Sequence, residues 1–184
     1  IYVKNYGTNP TGTHKDLGYS TAVTRAVELG ISHAVTFTSG NAGTSLAAYG
    51  TRAGMRVLIL ARDDITFEKL ANIMSYGVNV IKIHYDSDRE VWNMLQELSQ
   101  KHRVYEFVNF INPFRHEGCK TCAYEVCEDL GGEVPDMMIH PLGTGGGLWG
   151  AWKGFGELHE LGLIERLPRM VGVQPETCAH TVKA

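Results

Sequence analysis

Three short segments of the 184-residue chain collect the residue types that could do chemistry. The first is Asn9-Pro10-Thr11-Gly12-Thr13-His14-Lys15-Asp16-Leu17-Gly18, a turn sequence running into a helix. It places Lys15 at or near the first helical turn, where the positive end of the dipole disfavours a cation. The same field favours the neutral amine, the form that condenses with an aldehyde. Taken alone, a solvated lysine beside a capping Asp16 is the simpler reading.

The second segment, Thr38-Ser39-Gly40-Asn41-Ala42-Gly43, directly follows a buried apolar run and opens a helix. Hydroxyls and unpaired backbone N–H groups at a helix start form a cradle for carboxylate or phosphate. Plain capping by Ser39 or Asn41 explains one such residue more readily than a run of them. The third, Pro141-Leu142-Gly143-Thr144-Gly145-Gly146-Gly147, also lies between a strand and a helix. Glycine this dense costs backbone entropy and leaves the main chain able to wrap an oxyanion. It is not a Walker loop, because Leu148-Trp149 follows rather than Gly-Lys-Ser/Thr, and no acidic residue is placed to make it a dinucleotide fingerprint.

The elements that position these segments are legible from periodicity. Tyr19, Ala22, Val23, Ala26 and Val27 repeat at helical spacing, with Gly30 as the stop. The pattern then predicts a strand over 34–38, a helix over 41–52, a strand over 57–61, a helix through Phe67 to Met74 and a strand over 78–83. A helix over 91–101, a strand over 104–108, a helix over 116–130, a strand over 137–140, a helix over 148–161 and a strand over 170–174 complete it. Such alternation predicts a parallel, doubly wound α/β architecture, with ligands at the carboxyl ends of the strands. The best internal boundary is near Asn112-Pro113.

With 43% hydrophobic and 20% charged residues, the composition is that of an ordinary globular protein. A net charge of −3, from 17 Lys and Arg against 20 Asp and Glu, gives no basic surplus for nucleic acid. Apolar runs such as 57–61 are too short to span a bilayer, and the first residues carry no secretion signal. The expectation is a cytoplasmic protein with no nucleic-acid or membrane partner. Cys119, Cys122 and Cys127 fall on one apolar helix face, so core packing is expected and no metal site. Trp149 and Trp152 are likewise expected to pack.

In this order and spacing the three segments resemble the pyridoxal-phosphate enzymes of fold type II, the tryptophan synthase β superfamily. Within it the chain is most similar to threonine synthase and threonine-synthase-like proteins. Lys4-Asn5, Asn112-Pro113-Phe114-Arg115-His116-Glu117-Gly118 and Val171-Gly172-Val173-Gln174-Pro175-Glu176 fit the same family, so the resemblance covers essentially the whole chain. Two positions depart from it: His14 precedes the lysine where Phe is common, and Leu17 stands where Arg is common.

The resemblance implies doubly wound parallel sheets in two lobes with the cofactor cleft between them, truncated here at both ends. The smaller N-terminal lobe would span 16–110, with the lysine and the substrate loop. The larger would comprise 111–184 together with 1–15, with the phosphate loop. Lys15 would be the catalytic residue and form the Schiff base with pyridoxal 5'-phosphate. Asn41 would bond the cofactor's phenolic oxygen, and Gly143, Thr144, Gly145, Gly146 and Gly147 would hold its phosphate. Thr38, Ser39, Gly40, Asn41, Ala42 and Gly43 would take the substrate carboxylate. The partner of the pyridine nitrogen would lie beyond these residues. The implied function is an amino-acid lyase of threonine-synthase type, a homodimer acting on O-phosphohomoserine. A serine/threonine dehydratase or a cysteine-synthase-like β-replacement enzyme shares all three segments, and a non-catalytic paralogue keeping the fold is the alternative of another class.

Overall fold

The computed structural model describes residues 1–102, 104–108, 112–179 and 181. Apart from the first two residues, the chain divides into two compact units, one from Val3 to Arg115 and one from His116 onward. The expected lobe boundary between residues 110 and 111 lies outside the described residues.

In the first unit four parallel strands lie in the order β3-β2-β1-β4, with β1 at His33–Thr38, β2 at Arg56–Arg62, β3 at Asn79–Ile83 and β4 at Tyr105–Glu106. The helices are α1 (Lys15–Glu28), α2 (Asn41–Arg52), α3 (Phe67–Met74) and α4 (Asp88–His102). Strand side chains alternate between faces, and both faces are covered. Ala34, Val57, Ile59 and Ala61 pack with Tyr19 and Ala22 of α1, Leu46 of α2 and Ile73 of α3. Val35 and Leu60 pack with Val91 and Leu95 of α4. This is the doubly wound arrangement that the alternation of elements predicts.

The strand expected over 104–108 is cut to two residues. The Phe107 carbonyl is taken by three other donors, the Tyr19 hydroxyl at 3.0 Å, the Thr36 hydroxyl at 3.2 Å and Nη1 of Arg115 at 3.1 Å. A carbonyl spent this way is not available to extend the ladder.

In the second unit β5 (Met137–Pro141) and β6 (Arg169–Val173) form a parallel pair. The expected helix over 116–130 is instead two, α5 (Pro113–Cys119) and α6 (Thr121–Asp129), broken at Lys120. Pro113 starts α5 early, as proline favours a first helical position. The break follows from how closely α7 (Gly146–Glu160) approaches: a Cβ on Gly154 would stand 2.3 Å from the Lys120 carbonyl, and one on Gly150 would stand 2.5 Å from Cys119 Cβ. Glycine at both positions lets the backbones meet. Lys120 also pairs with Glu117 at 2.8 Å and Glu157 at 3.0 Å, tying α5 and α6 to α7.

The unit's core holds Ala123, Cys127, Val134, Phe155 and Ile164. Cys122 and Cys127 are therefore buried, and burial pushes the Cys127 thiol up, but Cys119 sits on the other helix. Trp149 and Trp152, expected to pack, are 47% and 54% exposed, because α7 turns Gly150, Ala151, Gly154 and Phe155 inward instead. No helix among the described residues is long and apolar enough to cross a membrane.

Candidate active site

Lys15 is the first residue of α1, and its half-buried side chain places Nζ 3.1 Å from Nε2 of His14. The loop before it is built from its own polar groups. Asn9 donates from Nδ2 to the Thr13 carbonyl at 3.0 Å, Gly12 donates to the Asn9 carbonyl at 2.8 Å, and the Lys15 N–H donates to the buried Thr13 hydroxyl at 3.3 Å. The helix start is thereby capped from two residues upstream.

Asp16 is not the solvated cap that its position suggests. It is 2% exposed, and its carboxylate accepts from the Thr11 N–H at 2.8 Å, the Thr11 hydroxyl at 2.5 Å and the Ser45 hydroxyl at 2.6 Å. Burial, then the nearby Asp16 charge, pushes the Tyr49 phenol up one turn further along α2. Asp16 and Ser45 are the residues that sequence reasoning missed. A carboxylate three places after a threonine and just ahead of Leu17 was the available signal, but its partner lies 29 residues on.

The loop after β1 brings Ser39 and Asn41 to the exposed side and keeps Gly40 and Gly43 buried, with Ala42 between. Neither Ser39 nor Asn41 caps α2; its N-cap is Gly40, with φ 153° and no side-chain hydrogen bond. The Thr38 hydroxyl, buried beneath the loop, accepts from Gly40 N at 2.9 Å and Gly43 N at 3.2 Å. Thr38 thus shapes the turn from below while Ser39 and Asn41 stand outward. A Cβ at Gly40 would meet Lys69 Cδ at 2.7 Å, so the stem of that lysine lies directly over the loop.

In the second unit the loop after β5 leads through exposed Gly143 and Thr144 to Gly145, which caps α7 at φ 86° without any side-chain hydrogen bond. A Cβ at Gly143 would have nothing within 4 Å. Leu142 N donates to the Val173 carbonyl at 2.8 Å and Gln174 Nε2 to the Gly143 carbonyl at 3.4 Å. An uncapped helix start approached by open glycine backbone has the donors an anion needs.

Lys15 and the 38–43 loop therefore belong to one unit, and residues 143–147 to the other. Arg115, at the end of the first unit, is 4% exposed, with its guanidinium 4.3 Å from the Tyr19 ring and Nε without a hydrogen-bond partner among the described residues.

Comparison with known proteins places these features in a family. The profile of the family described as "Pyridoxal-phosphate dependent enzyme" matches residues 1–184. The chain is 41% identical to a threonine synthase of Methanocaldococcus jannaschii, covering 100% of this chain and 45% of that protein. It is 38% identical to a threonine synthase of Halalkalibacterium halodurans, covering 99% of this chain and 51% of that protein. The chain thus spans about half the length of the curated relatives it matches. Its fold is that of a solved O-ureido-L-serine synthase, at a TM-score of 0.82 and 24% identity, covering 99% of this chain and 58% of that one. A serine racemase from Dictyostelium discoideum is similar at 0.80 and 23%, covering 97% and 56%.

Proposed function

The chain belongs to the pyridoxal-phosphate-dependent enzymes, and on that premise we propose that the whole protein is a lyase of threonine-synthase type, turning O-phosphohomoserine into threonine and phosphate. The observation that carries this reading is Lys15, a lysine heading α1 on a tightly hydrogen-bonded loop, in a chain whose curated relatives are threonine synthases.

The residues present suit the cofactor. A lysine with its amine beside an imidazole can take the aldehyde, and the uncapped start of α7 offers main-chain donors to a phosphate. When bound, the cofactor supplies an electron sink for bonds broken at the amino acid's α-carbon. Lys15 would hold it and would carry protons at its Nζ. Asn41 would orient it through its phenolic oxygen, while residues 143–147 would hold the phosphate, with the Thr144 hydroxyl among the donors. In the 39–43 loop Ser39 and Ala42 would donate to the substrate carboxylate at the start of α2, while the Gly40 and Gly43 N–H groups stay with the Thr38 hydroxyl, which keeps the loop in shape. The division into a lobe over 16–110 and another over 111–184 with 1–15 belongs to the same reading, as do a cytoplasmic location and a homodimer.

The test uses the full-length polypeptide. It should be coloured by pyridoxal phosphate, borohydride should fix the cofactor on Lys15, and O-phosphohomoserine should release inorganic phosphate. Lys15→Ala should lose all three. A Lys15→Ala protein still fixed by borohydride would sink the site. Ammonia released from serine or threonine, with no phosphate from O-phosphohomoserine, would replace the substrate reading with a dehydratase.

A further inference from the structure

Among the described residues Asp16 is the one buried carboxylate, and it does not serve its own helix. A first-turn aspartate ordinarily faces water and complements the helix dipole. Here both oxygens are committed elsewhere. One accepts from the Thr11 main chain at 2.8 Å, the other from the hydroxyls of Thr11 at 2.5 Å and Ser45 at 2.6 Å. The two hydroxyls also lie 3.1 Å apart, so the four groups close into one network. Thr11 is half-buried and Ser45 fully buried, so water does not substitute for these partners at Ser45.

The network joins segments that matter to the site. Thr11 belongs to the turn that delivers Lys15, and Asp16 is the next residue after Lys15. Ser45 lies one helical turn inside α2, the helix whose start is formed by Gly40 and Asn41. Fixing Asp16 to Ser45 fixes the backbone of Lys15 against the helix that carries the 39–43 loop. Charge-assisted bonds out of water hold geometry more firmly than exposed ones. Displacements on the order of 1 Å at a reacting group can cost about a hundredfold in rate.

We propose that Asp16 is a positioning residue: it latches the Lys15 loop to α2, so that the lysine amine and the 39–43 loop keep one spacing. The inference rests on Lys15 being the cofactor lysine.

Full-length apoprotein is mixed with pyridoxal phosphate and quenched with borohydride at intervals, and the label on the Lys15 peptide is counted by mass per folded molecule. Labelling should slow roughly tenfold in Asp16→Asn and about threefold in Thr11→Val, which loses the hydroxyl at matched volume. Thr11→Ser, which keeps the hydroxyl, should stay within about twofold of the unsubstituted protein, and the Thr11→Val/Asp16→Asn pair should be no slower than Asp16→Asn alone. A merely structural aspartate would lower the thermal midpoint and leave the rate per folded molecule unchanged. Should Asp16→Asn fail to fold, the Thr11 pair decides: equal rates in Thr11→Val and Thr11→Ser overturn the latch. If the unsubstituted protein labels only at other lysines, the reading of Lys15 itself falls, and that result is separate from equal rates among the variants.

Discussion

The loop after β1 and the loop after β5 start from the same plan. Each follows a parallel strand, and each ends in a glycine N-cap that offers its helix no side chain of its own. From there they diverge. The first is packed from beneath: the Thr38 hydroxyl takes two of its N–H groups, Ile59 and Ile73 press on Gly43, and the stem of Lys69 covers Gly40. The second has open space around Gly143 and takes its shape from the left-handed backbone of Gly145, a main-chain bond from Leu142 to β6 and a side-chain bond from Gln174 to the Gly143 carbonyl. One loop is specified by volume, the other by backbone conformation. Their sensitivities to substitution should therefore differ in kind.

The largest expected effect is on the packed loop. A Cβ at Gly43 would stand 2.6 Å from Thr38 Cγ2, 3.0 Å from Ile73 Cδ1 and 3.2 Å from Ile59 Cγ2. Gly43 lies inside α2, so alanine gains up to about 1 kcal/mol of helix propensity. Overpacking of a filled core costs roughly 1–3 kcal/mol, and here it also displaces the threonine that shapes the turn. Gly43→Ala should lose about 2 kcal/mol in a denaturant titration of the full-length protein, with weaker amino-acid binding. A stability change near zero would mean that the loop is no better packed than its counterpart.

A smaller effect is expected at Gly145, and it should appear in binding rather than in folding. A Cβ there meets only Leu142 Cδ1, at 3.9 Å, so space is not the obstacle. Gly145→Asp instead brings a carboxylate to the site proposed for the cofactor phosphate, and like charges at such a distance repel. Aspartate is also among the residues that tolerate a left-handed backbone, which keeps the folding cost low. Affinity for pyridoxal phosphate should fall at least about tenfold, near 1.4 kcal/mol. If affinity holds and the fold is intact, the loop is a connector and the phosphate site lies elsewhere.

Where sequence was sufficient, the signal was local. The helix expected from Asn41 to Arg52 has those bounds, because turn residues and a stop glycine flank a continuous helical pattern. Where it was not, the cause was a partner far along the chain. β4 ends early because Phe107 serves Tyr19, Thr36 and Arg115. The helix over 116–130 breaks because Gly150 and Gly154 of α7 press against it. Trp149 and Trp152 stand outward for the same reason, since glycine and alanine take the inner face. At the candidate site, the segments themselves were visible from glycine, hydroxyl and lysine at helix starts. The carboxylate that ties two of them together looks like a cap in the sequence, because no local pattern shows that Ser45 is its partner. Nothing in the spacing of Thr38 told that its hydroxyl would face inward under the loop rather than outward.

The smallest expected effect is the one that tests the comparison most directly, because it repeats the same change, glycine to alanine, in the unpacked loop. Gly143 is exposed, its φ is not among the positive ones, and a Cβ would find nothing within 4 Å. Alanine is then compatible with the native backbone and has fewer unfolded conformations to lose, a stabilising contribution of about 0.4–1 kcal/mol where no strain opposes it. Against this stands only the loss of flexibility in a loop proposed to wrap a phosphate. Gly143→Ala should therefore leave stability unchanged or raise it by a few tenths of a kcal/mol, and leave pyridoxal-phosphate affinity within about threefold. Gly145→Ala, with φ 86°, should by contrast lose roughly 1 kcal/mol, through backbone strain alone. Denaturant titrations of both proteins, run beside Gly43→Ala, order the three sites. A loss at Gly143 as large as that at Gly43 would mean the second loop is packed after all, and that its open glycines are not there to leave room for an anion.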